Sequence, residues 1–361
     1  MFDKVVQICS VLEPGDGIGN VVRDYSVILS DYNIVNCIIA EHVNPSYHTP
    51  KLSIYHISAL DDHITDRTLV IFHKSIMTDI SYRVIELKCH KILLWHNMTP
   101  PEFFKPYNKY IYELAKKSIQ EIALLAPFFP NSWGNSDYNC NELLKLGYKK
   151  AETLHFTYDF DRLASAKPSK AITKKKKGKN IIFVGRIVPN KRQEDVIRAF
   201  YYFYRLNPGS SLILIGSWSG FENYKDELVS LAQNLSLPVI LPGKVSLNDL
   251  AAYYRTADLF LCMSEHEGLN IPLLEAMYFE VPVIAFNSSS ISEGIGDGGI
   301  IFNQKHFPSI GHLMDIILKD SELIRRMKAS GKKRINHFDK SHSASRLINL
   351  IEAYAIEMNI K

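Results

Sequence analysis

The 361-residue sequence predicts an α/β fold of two Rossmann-like domains, whose parallel sheets face each other across a cleft. Three observations support this prediction. The chain is too long for one ordinary hydrophobic core, so two domains are expected. In each half, short apolar runs alternate with amphipathic stretches, which is typical of strands joined by crossover helices. A polar, lysine-rich stretch at residues 167–179 separates the halves and has the composition of a linker.

The predicted strands are apolar runs whose length suits a buried strand. In the first half they lie at residues 5–10, 34–40, 68–72 and 91–95, with weaker candidates at 124–126 and 153–156. In the second half they lie at residues 180–184, 211–215, 239–241, 259–262 and 283–285. Helices are predicted between them, at residues 21–30, 192–205, 225–234, 247–256, 309–319 and 321–330. The predicted domains are residues 1–166 and 180–340, joined by the linker at 167–179.

The composition is that of a globular protein with a small net charge of +4. No apolar run approaches the roughly 18 residues needed to cross a bilayer. Residues 1–10 are typical of a first strand rather than of a signal peptide, so we expect a cytoplasmic location. Five scattered cysteines favour reduced, buried thiols over a disulfide framework or a metal site: Cys9, Cys37, Cys89, Cys140 and Cys262.

The densest positive charge lies in the linker, where residues 174–177 are four consecutive lysines. We interpret this run as a solvated connection, with contact to anionic lipid headgroups or phosphate as the alternative. Because no aromatic side chains interleave with the lysines, nucleic acid is not an expected partner.

The most informative motif places two glutamates, Glu267 and Glu275, eight positions apart. A strand-like run precedes them, and Pro272 suits the first turn of a helix. Glu267 is therefore predicted in the loop before the helix, and Glu275 about one turn inside it. Free N–H groups at a helix N-terminus favour an anion, while carboxylates accept hydrogen bonds from hydroxyls. A phosphate flanked by hydroxyls is the outline of a sugar nucleotide.

A second motif places two cations, Arg186 and Lys191, after the strand predicted at 180–184. An arginine at a strand end and a lysine before a helix can together bind the two phosphates of a diphosphate. Surface cations are common, so neither residue alone is informative. Their position in the same half as the two glutamates favours a diphosphate site.

A glycine-rich loop with Gly15, Gly17 and Gly19 lies between the first predicted strand and helix. These glycines would let backbone N–H groups approach a phosphate. The dinucleotide fingerprint fails, because Asn20 and Val22 stand where G-x-G-x-x-G requires glycine. A phosphate or substrate loop and a plain flexible turn both stay open.

His96 ends the strand predicted at 91–95, at the sheet edge where open α/β sheets bind ligands. Its polar neighbours Asn97, Thr99 and Glu102 suit a sugar or acceptor site. The same segment also suits a rigid turn.

Several other active-site motifs do not occur in the sequence. It has no Walker A loop, no G-x-S-x-G elbow and no HExxH helix. We expect a metal-independent reaction without a cofactor, in which Arg186 and Lys191 supply the positive charge.

Together these residues resemble the retaining family-4 glycosyltransferases of the GT-B fold. The resemblance is strongest from residue 180 to residue 302 and includes the family's E-x7-E signature at residues 264–277. It also rests on residues 214–216, 242–246, 283–286 and 293–299.

The resemblance implies a role for each matched residue. Glu267 would contact hydroxyls of the transferred sugar, and Glu275 would bind the nucleotide ribose. Arg186 and Lys191 would bind the diphosphate, and His96 would lie near the transferred sugar. The other implied donor contacts are Gly17, Gly19, Lys244, Val245, Gly268, Leu269, Asn270 and Ile271. The family's C-terminal segment implies that a helix at residues 341–361 crosses back to the N-terminal domain.

Asn270 departs from the family, which commonly has glycine at this position. Its side chain either influences the choice of donor sugar or caps the following helix.

The implied reaction transfers a hexose from a nucleoside diphosphate sugar, with GDP-mannose the favoured donor. The acceptor would be a glycan or polyprenyl-linked oligosaccharide in O-antigen or lipopolysaccharide synthesis, which places a peripheral enzyme at the inner face of the membrane. Basic and aromatic segments at residues 103–110 and 145–150 suit membrane contact, and equally suit solvated helix faces. The alternatives are a sugar-nucleotide epimerase, a pyridoxal-phosphate-dependent phosphorylase and a non-catalytic glycan-binding protein.

Overall fold

The structure, a computed structural model, describes residues 2–13, 17–156, 158–173 and 178–360. Gly15 of the glycine loop and the four lysines at 174–177 lie outside these residues.

The chain forms two compact units. The first comprises Met1–Met98, Glu113–Tyr158 and Phe338–Lys361, and the second comprises Thr99–Tyr112 and Asp159–His337. Residues 159–166, which the sequence predicts in the N-terminal domain, belong to the second unit. They are held there because Tyr278 donates to Asp161 at 2.7 Å and Arg255 donates to the Ala166 carbonyl at 3.1 Å. The linker is only partly described, so its predicted limits stay a prediction.

The described residues of the first unit contain a parallel sheet of seven strands in the order β3-β2-β1-β4-β5-β6-β7. The strands are β1 (Lys4–Leu12), β2 (Asn36–Val43), β3 (Ile54–His56), β4 (Thr68–Lys74), β5 (His90–Trp95), β6 (Asn131–Gly134) and β7 (Lys150–Thr153). The helices are α1 (Gly17–Asp31), α2 (Ile80–Glu86), α3 (Lys109–Leu125, whose first turn belongs to the second unit), α4 (Asp137–Lys145) and α14 (Lys340–Glu357).

The described residues of the second unit contain a parallel sheet of six strands in the order β10-β9-β8-β11-β12-β13. The strands are β8 (Asn180–Val184), β9 (Ser211–Ile215), β10 (Val239–Gly243), β11 (Leu259–Cys262), β12 (Val283–Phe286) and β13 (Ile300–Phe302). The helices are α5 (Phe160–Ala164), α6 (Lys170–Thr173), α7 (Gln193–Leu206), α8 (Glu222–Asn234), α9 (Leu247–Thr256), α10 (Ile271–Tyr278), α11 (Ile291–Ile295), α12 (Phe307–Lys319) and α13 (Ser321–Ile335).

The first sheet is buried on both faces, which explains its nearly continuous apolar strands. Alternate strand residues point to opposite faces. Val5 and Ile71 pack with α1 and α14, whereas Val6 and Phe72 pack with α3 and α4. The helix α14 belongs to this unit because its apolar side chains enter the first of these clusters: Ala344, Leu347, Ile348, Leu350, Ile351 and Tyr354.

The predicted α/β class with two parallel sheets is confirmed. Strands in the strong apolar runs are also confirmed, with ends that shift by at most three residues. The weak strand at 124–126 is wrong, because α3 continues to Leu125. The weak strand at 153–156 lies three residues too late, since β7 is Lys150–Thr153. The short strands β3, β6 and β13 were not predicted.

The strand order fixes where a ligand is expected in each unit. In the second unit the order reverses between β8 and β11, and in the first between β1 and β4. Open parallel sheets bind ligands outside the carboxyl ends of the strands at this point. The loops that follow β8 and β11 carry Arg186, Lys191 and Glu267.

Candidate functional site

The helix α10 begins where the two-glutamate motif predicts. Asn270 caps it, with its side-chain oxygen accepting from the Leu273 N–H at 3.4 Å, and Pro272 lies in the first turn. Glu267 lies in the preceding loop and Glu275 inside the helix, as expected. Asn270 is therefore a helix cap, which is one of the two roles considered for it.

The Glu267 carboxylate is buried and has a partner on each oxygen. Its Oε2 forms an ion pair with the Lys191 Nζ, and its Oε1 accepts from the Asn270 Nδ2 at 2.8 Å. Its main chain is also held, because the N–H donates to the Ser289 Oγ at 2.7 Å and the carbonyl accepts from the Ser290 Oγ at 3.0 Å. With a relative exposure of 6%, Glu267 is fixed in position before any ligand binds.

The loop after β8 and the loop after β11 are cross-linked next to this ion pair. The Glu265 N–H donates to the Asn190 carbonyl at 2.8 Å, and the Asn190 Nδ2 donates to the His266 carbonyl at 3.0 Å. The Arg192 Nη2 lies 2.6 Å from Glu265. Arg192 has a φ of +52°, in the left-handed region that costs a non-glycine residue about 1–2 kcal/mol. The cross-links hold this conformation and keep Lys191 next to Glu267.

Glu265 joins this cross-link to a second cation. Lys305 contacts Glu265 at 2.8 Å and Asp195 at 2.9 Å. Partial burial of Glu265 disfavours its ionised form, but the hydrogen bonds from Arg192 and Lys305 outweigh this effect and lower the pKa of its carboxyl. Glu265 is therefore an ionised anchor of the loop.

Arg186 differs from Lys191, although the sequence predicts them as a pair. Its backbone is fixed, because the Gln193 Nε2 donates to its carbonyl at 2.8 Å. Its side chain is exposed and lies over the Phe221 ring at 6.0 Å, and no carboxylate within the described residues pairs with it. Nearby protein atoms lower the pKa of the guanidinium by desolvation, although it stays charged at neutral pH. Arg186 thus offers a positive charge that the protein does not neutralise, whereas Lys191 is paired with Glu267.

Glu275 is buried and accepts from the Tyr254 hydroxyl at 2.6 Å. Lys244 is exposed and Val245 is partly exposed at the end of β10. Of the α10 loop residues, Gly268 and Ile271 are partly exposed, whereas the side chains of Leu269 and Asn270 are buried. All these predicted donor contacts belong to the second unit.

The predicted residues of the first unit are Gly17, Gly19 and His96. Gly17 begins α1, and apart from its chain neighbours no described residue lies within 4 Å of where its Cβ would stand. A Cβ on Gly19 would come within 2.9 Å of the Tyr47 hydroxyl, so a larger residue here would displace the end of the Tyr47 side chain. Near α1 and the ends of β1 and β4 there is a cavity of about 250 Å³, whose lining includes Cys9, Ile18 and His73.

His96 lies just after β5, and both of its ring nitrogens have partners within the first unit. Its Nε2 lies 2.9 Å from the His73 Nδ1, and its Nδ1 lies 3.3 Å from the Asn135 Nδ2. Its ring stacks on Phe156 with centroids 5.6 Å apart. Burial lowers the pKa of His96 to about 3, so the ring is neutral at physiological pH.

Sequence reasoning missed an Asp-x-Asp sequence, Asp159 and Asp161, of the kind that holds a metal ion in some sugar-nucleotide sites. In the structure Asp159 caps α5 by accepting from the Arg162 N–H at 2.9 Å, and Asp161 accepts from Tyr278. No cluster of three or more potential metal ligands is found among the described residues. A metal-independent reaction stays a prediction.

Sequence reasoning also missed His73, Asn190, Glu265 and Tyr254. His73 could have been found in the same way as His96, because it lies near the carboxyl end of the neighbouring strand β4. The other three act through contacts with residues that are distant in the chain.

Comparison with known proteins bears on the sequence of the second unit and on the fold. Residues 165–334 match the family model described as Glycosyl transferases group 1. An uncharacterized glycosyltransferase of Haemophilus influenzae is 23% identical over 278 residues, which cover 74% of this chain and 70% of that protein. The GDP-mannose-dependent monoacylated alpha-(1-6)-phosphatidylinositol monomannoside mannosyltransferase of Corynebacterium glutamicum is 27% identical over 210 residues. That match covers 54% of each chain, so this chain spans about half the length of that relative.

A solved structure covers nearly the whole chain. The crystal structure of Anabaena HepE in complex with UDP and glucose has a TM-score of 0.76 at 15% identity, covering 97% of this chain and 99% of that chain. At this identity the likeness shows the fold alone, which is the GT-B fold that the sequence predicts. The second unit is thus similar in sequence to group 1 glycosyl transferases, and the chain has the fold of GT-B glycosyltransferases.

Proposed function

We propose that this protein is a retaining, metal-independent hexosyltransferase that uses a nucleoside diphosphate sugar as donor. The observation that carries the proposal is the position of Arg186, a cation that pairs with no carboxylate among the described residues. It lies on a loop that is cross-linked to the Glu267 loop, at the point where the strand order of the second sheet reverses. A positive charge at this position suits the diphosphate of such a donor.

The chemistry follows from where charge develops. When the bond between the sugar and the diphosphate breaks, negative charge grows on the leaving oxygen. Arg186 and the backbone N–H groups of the loop before α10 would stabilise this charge without a metal ion. Lys191 would share its charge between Glu267 and the diphosphate.

The two glutamates would receive hydroxyls. Glu267 would accept from the transferred sugar and Glu275 from the nucleotide ribose, beside Tyr254. The acceptor hydroxyl would attack from the face that the diphosphate leaves, and its proton would pass to the departing diphosphate. The anomeric configuration is then retained without a dedicated base. Gly17, Gly19 and His96 stay predicted contacts of the donor, and Lys244 and Val245 of its base.

GDP-mannose is the donor that we favour, because a relative is named as a GDP-mannose-dependent mannosyltransferase. The HepE complex holds UDP and glucose, which makes UDP-glucose the competing donor. A thermal-shift and turnover panel of GDP-, UDP- and dTDP-sugars separates them. The proposal would be contradicted if none of the nucleotide sugars stabilised the protein. Conversion of the donor to an isomer without an acceptor would instead favour the epimerase.

For the acceptor we propose a glycan or polyprenyl-linked oligosaccharide of surface polysaccharide synthesis, used at the inner face of the cell membrane. No helix within the described part of the chain is both long and apolar enough to span a membrane. Within the two predicted segments Phe104 and Tyr148 are buried, whereas Tyr110 is 75% exposed. Outside them, Leu124 and Phe128 are 73% and 46% exposed.

Flotation with vesicles tests this contact. Binding to vesicles with anionic lipid that is lost in the Leu124→Ser/Phe128→Ser variant would support it, and equal flotation of both proteins would contradict it.

A further inference from the structure

Buried side chains of the first unit form one continuous chain of hydrogen bonds that ends at a backbone carbonyl. The Asn135 Nδ2 contacts the His96 Nδ1 at 3.3 Å, and the His96 Nε2 contacts the His73 Nδ1 at 2.9 Å. The His73 Nε2 contacts the Gln7 Oε1 at 3.0 Å. The Gln7 Nε2 donates to the Val22 carbonyl at 3.0 Å.

The Val22 carbonyl at the end of this network determines which atom donates and which accepts in every hydrogen bond. A carbonyl can only accept, so Gln7 must turn its NH₂ group to Val22 and its oxygen to His73. His73 then carries its proton on Nε2 and accepts on Nδ1. His96 donates from Nε2 to His73, and its Nδ1 accepts from Asn135.

This arrangement requires that both imidazoles are neutral, because a protonated ring has no acceptor nitrogen. Burial provides this condition. It lowers the pKa of His73 well below its usual value, with a smaller contribution from His96, and it lowers the pKa of His96 to about 3. The side chains of Gln7, His73 and Asn135 are buried.

We propose that His73 and Gln7 are positioning residues for His96, which fix its imidazole as the Nε2–H tautomer and hold the residue in one position after β5. Both ring nitrogens of His96 are used inside the protein, and its ring is stacked against His73 and Phe156. Asn97 follows with a φ of +74°, a left-handed turn that fixes how this peptide is oriented.

The inference rests on the proposed function, since His96 matters to catalysis only if the chain transfers a sugar. A positioned His96 would contact the transferred sugar in the same geometry throughout the reaction, and a displaced His96 would stabilise the transition state less.

The test replaces His73 by phenylalanine, which keeps a stacking ring and removes both nitrogens. His96 then loses its acceptor at Nε2, and Asn135 can turn its amide oxygen to accept a proton from Nδ1. We expect two-bond ¹H–¹⁵N spectra of histidine-labelled protein to show Nε2–H for His96 in the wild type and a shift towards Nδ1–H in His73→Phe. The His96 signals are assigned by comparison with His96→Asn.

Kinetics supply the second measurement. We expect kcat for the donor found in the nucleotide panel to fall about ten- to hundredfold in His73→Phe, with KM changed less than about threefold. His73→Asn keeps an acceptor near the position of Nδ1 and should recover both the tautomer and part of kcat. If His73→Phe does not fold, Gln7→Met takes its place in the test. It removes the hydrogen bond between Gln7 and His73 and should give a mixture of His96 tautomers.

Ser132→Ala is the matched control. Ser132 is buried in the same sheet and donates to the Lys150 carbonyl at 2.7 Å, without a link to His96. It should change neither the His96 tautomer nor kcat. An unchanged Nε2–H tautomer in both His73→Phe and Gln7→Met would overturn the inference, as would an equal loss of kcat in the control. Wild-type protein without turnover on any nucleotide sugar would refute the proposed function instead, while the tautomer measurement would still decide the positioning role.

Discussion

Arg186 gives a direct test of the proposed donor site, because its contributions to stability and to catalysis can be separated. Its side chain is exposed, and its one described side-chain contact is with the Phe221 ring at 6.0 Å. A cation–π contact at an exposed site is worth about 0.5–1 kcal/mol. We therefore expect Arg186→Ala to lower the melting temperature by only a few degrees.

The expected effect on turnover is much larger. Loss of one preorganised, charge-assisted contact to developing negative charge costs about 2–4 kcal/mol, which lowers kcat/KM about 30- to 1,000-fold. Arg186→Lys keeps the charge but loses the planar, bidentate fork, so its turnover should lie between the wild type and Arg186→Ala. Release of nucleoside diphosphate by slow hydrolysis of the donor measures this without a known acceptor.

A second arginine in the same unit provides the control. Arg205 is exposed and lies over the Tyr201 ring at 5.8 Å, at the opposite end of α7 from Arg186. Arg205→Ala removes the same kind of contact and should leave kcat/KM within about twofold of the wild type. Turnover of Arg186→Ala within threefold of the wild type, or an equal loss in Arg205→Ala, would refute the assignment of Arg186 to the diphosphate.

Three further predictions concern the loops around Glu267. Asn270→Ser keeps a helix cap, but the shorter side chain cannot reach the Glu267 carboxylate. We therefore expect similar thermal stability and a changed ratio of kcat/KM between GDP-mannose and UDP-glucose. An unchanged ratio would show that Asn270 acts only as a cap. Lys191→Met leaves the buried Glu267 carboxylate without its ion pair and should lower the free energy of unfolding in urea by about 3 kcal/mol. The double variant Lys191→Met/Glu267→Gln should recover part of this stability but not the turnover. Because the folded pKa of Glu265 is lowered from 4.5, its stabilisation is present above pH 4.5 and lost as the pH falls through the folded value. Glu265→Gln should therefore lose less stability than the wild type over that range in acid titration followed by circular dichroism.

The sequence predicts an element well where one local pattern determines it. β1, β4 and β8 are buried on both faces, so their apolar runs are unmistakable. β6 is Asn-Ser-Trp-Gly and has no such run, because its pairing with β5 and β7 decides its conformation. The run at 124–126 is apolar for a different reason, since Leu125 packs in the core at the end of α3 while Leu124 is exposed.

The same distinction between local patterns and distant contacts applies to the candidate site. Glu267, Arg186 and the start of α10 follow from residues that are close in the chain. The Asn190–His266 and Arg192–Glu265 contacts join residues more than 70 positions apart and depend on β8 and β11 being neighbours in the sheet. The difference between Arg186 and Lys191 could not be predicted either, because it depends on which cation the Glu267 carboxylate reaches.

The partners of the two glutamates bear on the choice between transfer and simple glycoside hydrolysis. Hydrolases use a carboxylate pair as a protonated acid and a nucleophile or base, so one member must carry a proton and both must reach the scissile bond. Here Glu267 faces a lysine and an amide donor, and Glu275 accepts from a tyrosine hydroxyl within the first turns of α10. Carboxylates that already accept from protein donors are suited to receive further hydroxyls rather than to donate a proton. In the proposed reaction the charge needed to expel a leaving group would come from Arg186, which suits departure of a diphosphate better than protonation of a glycosidic oxygen.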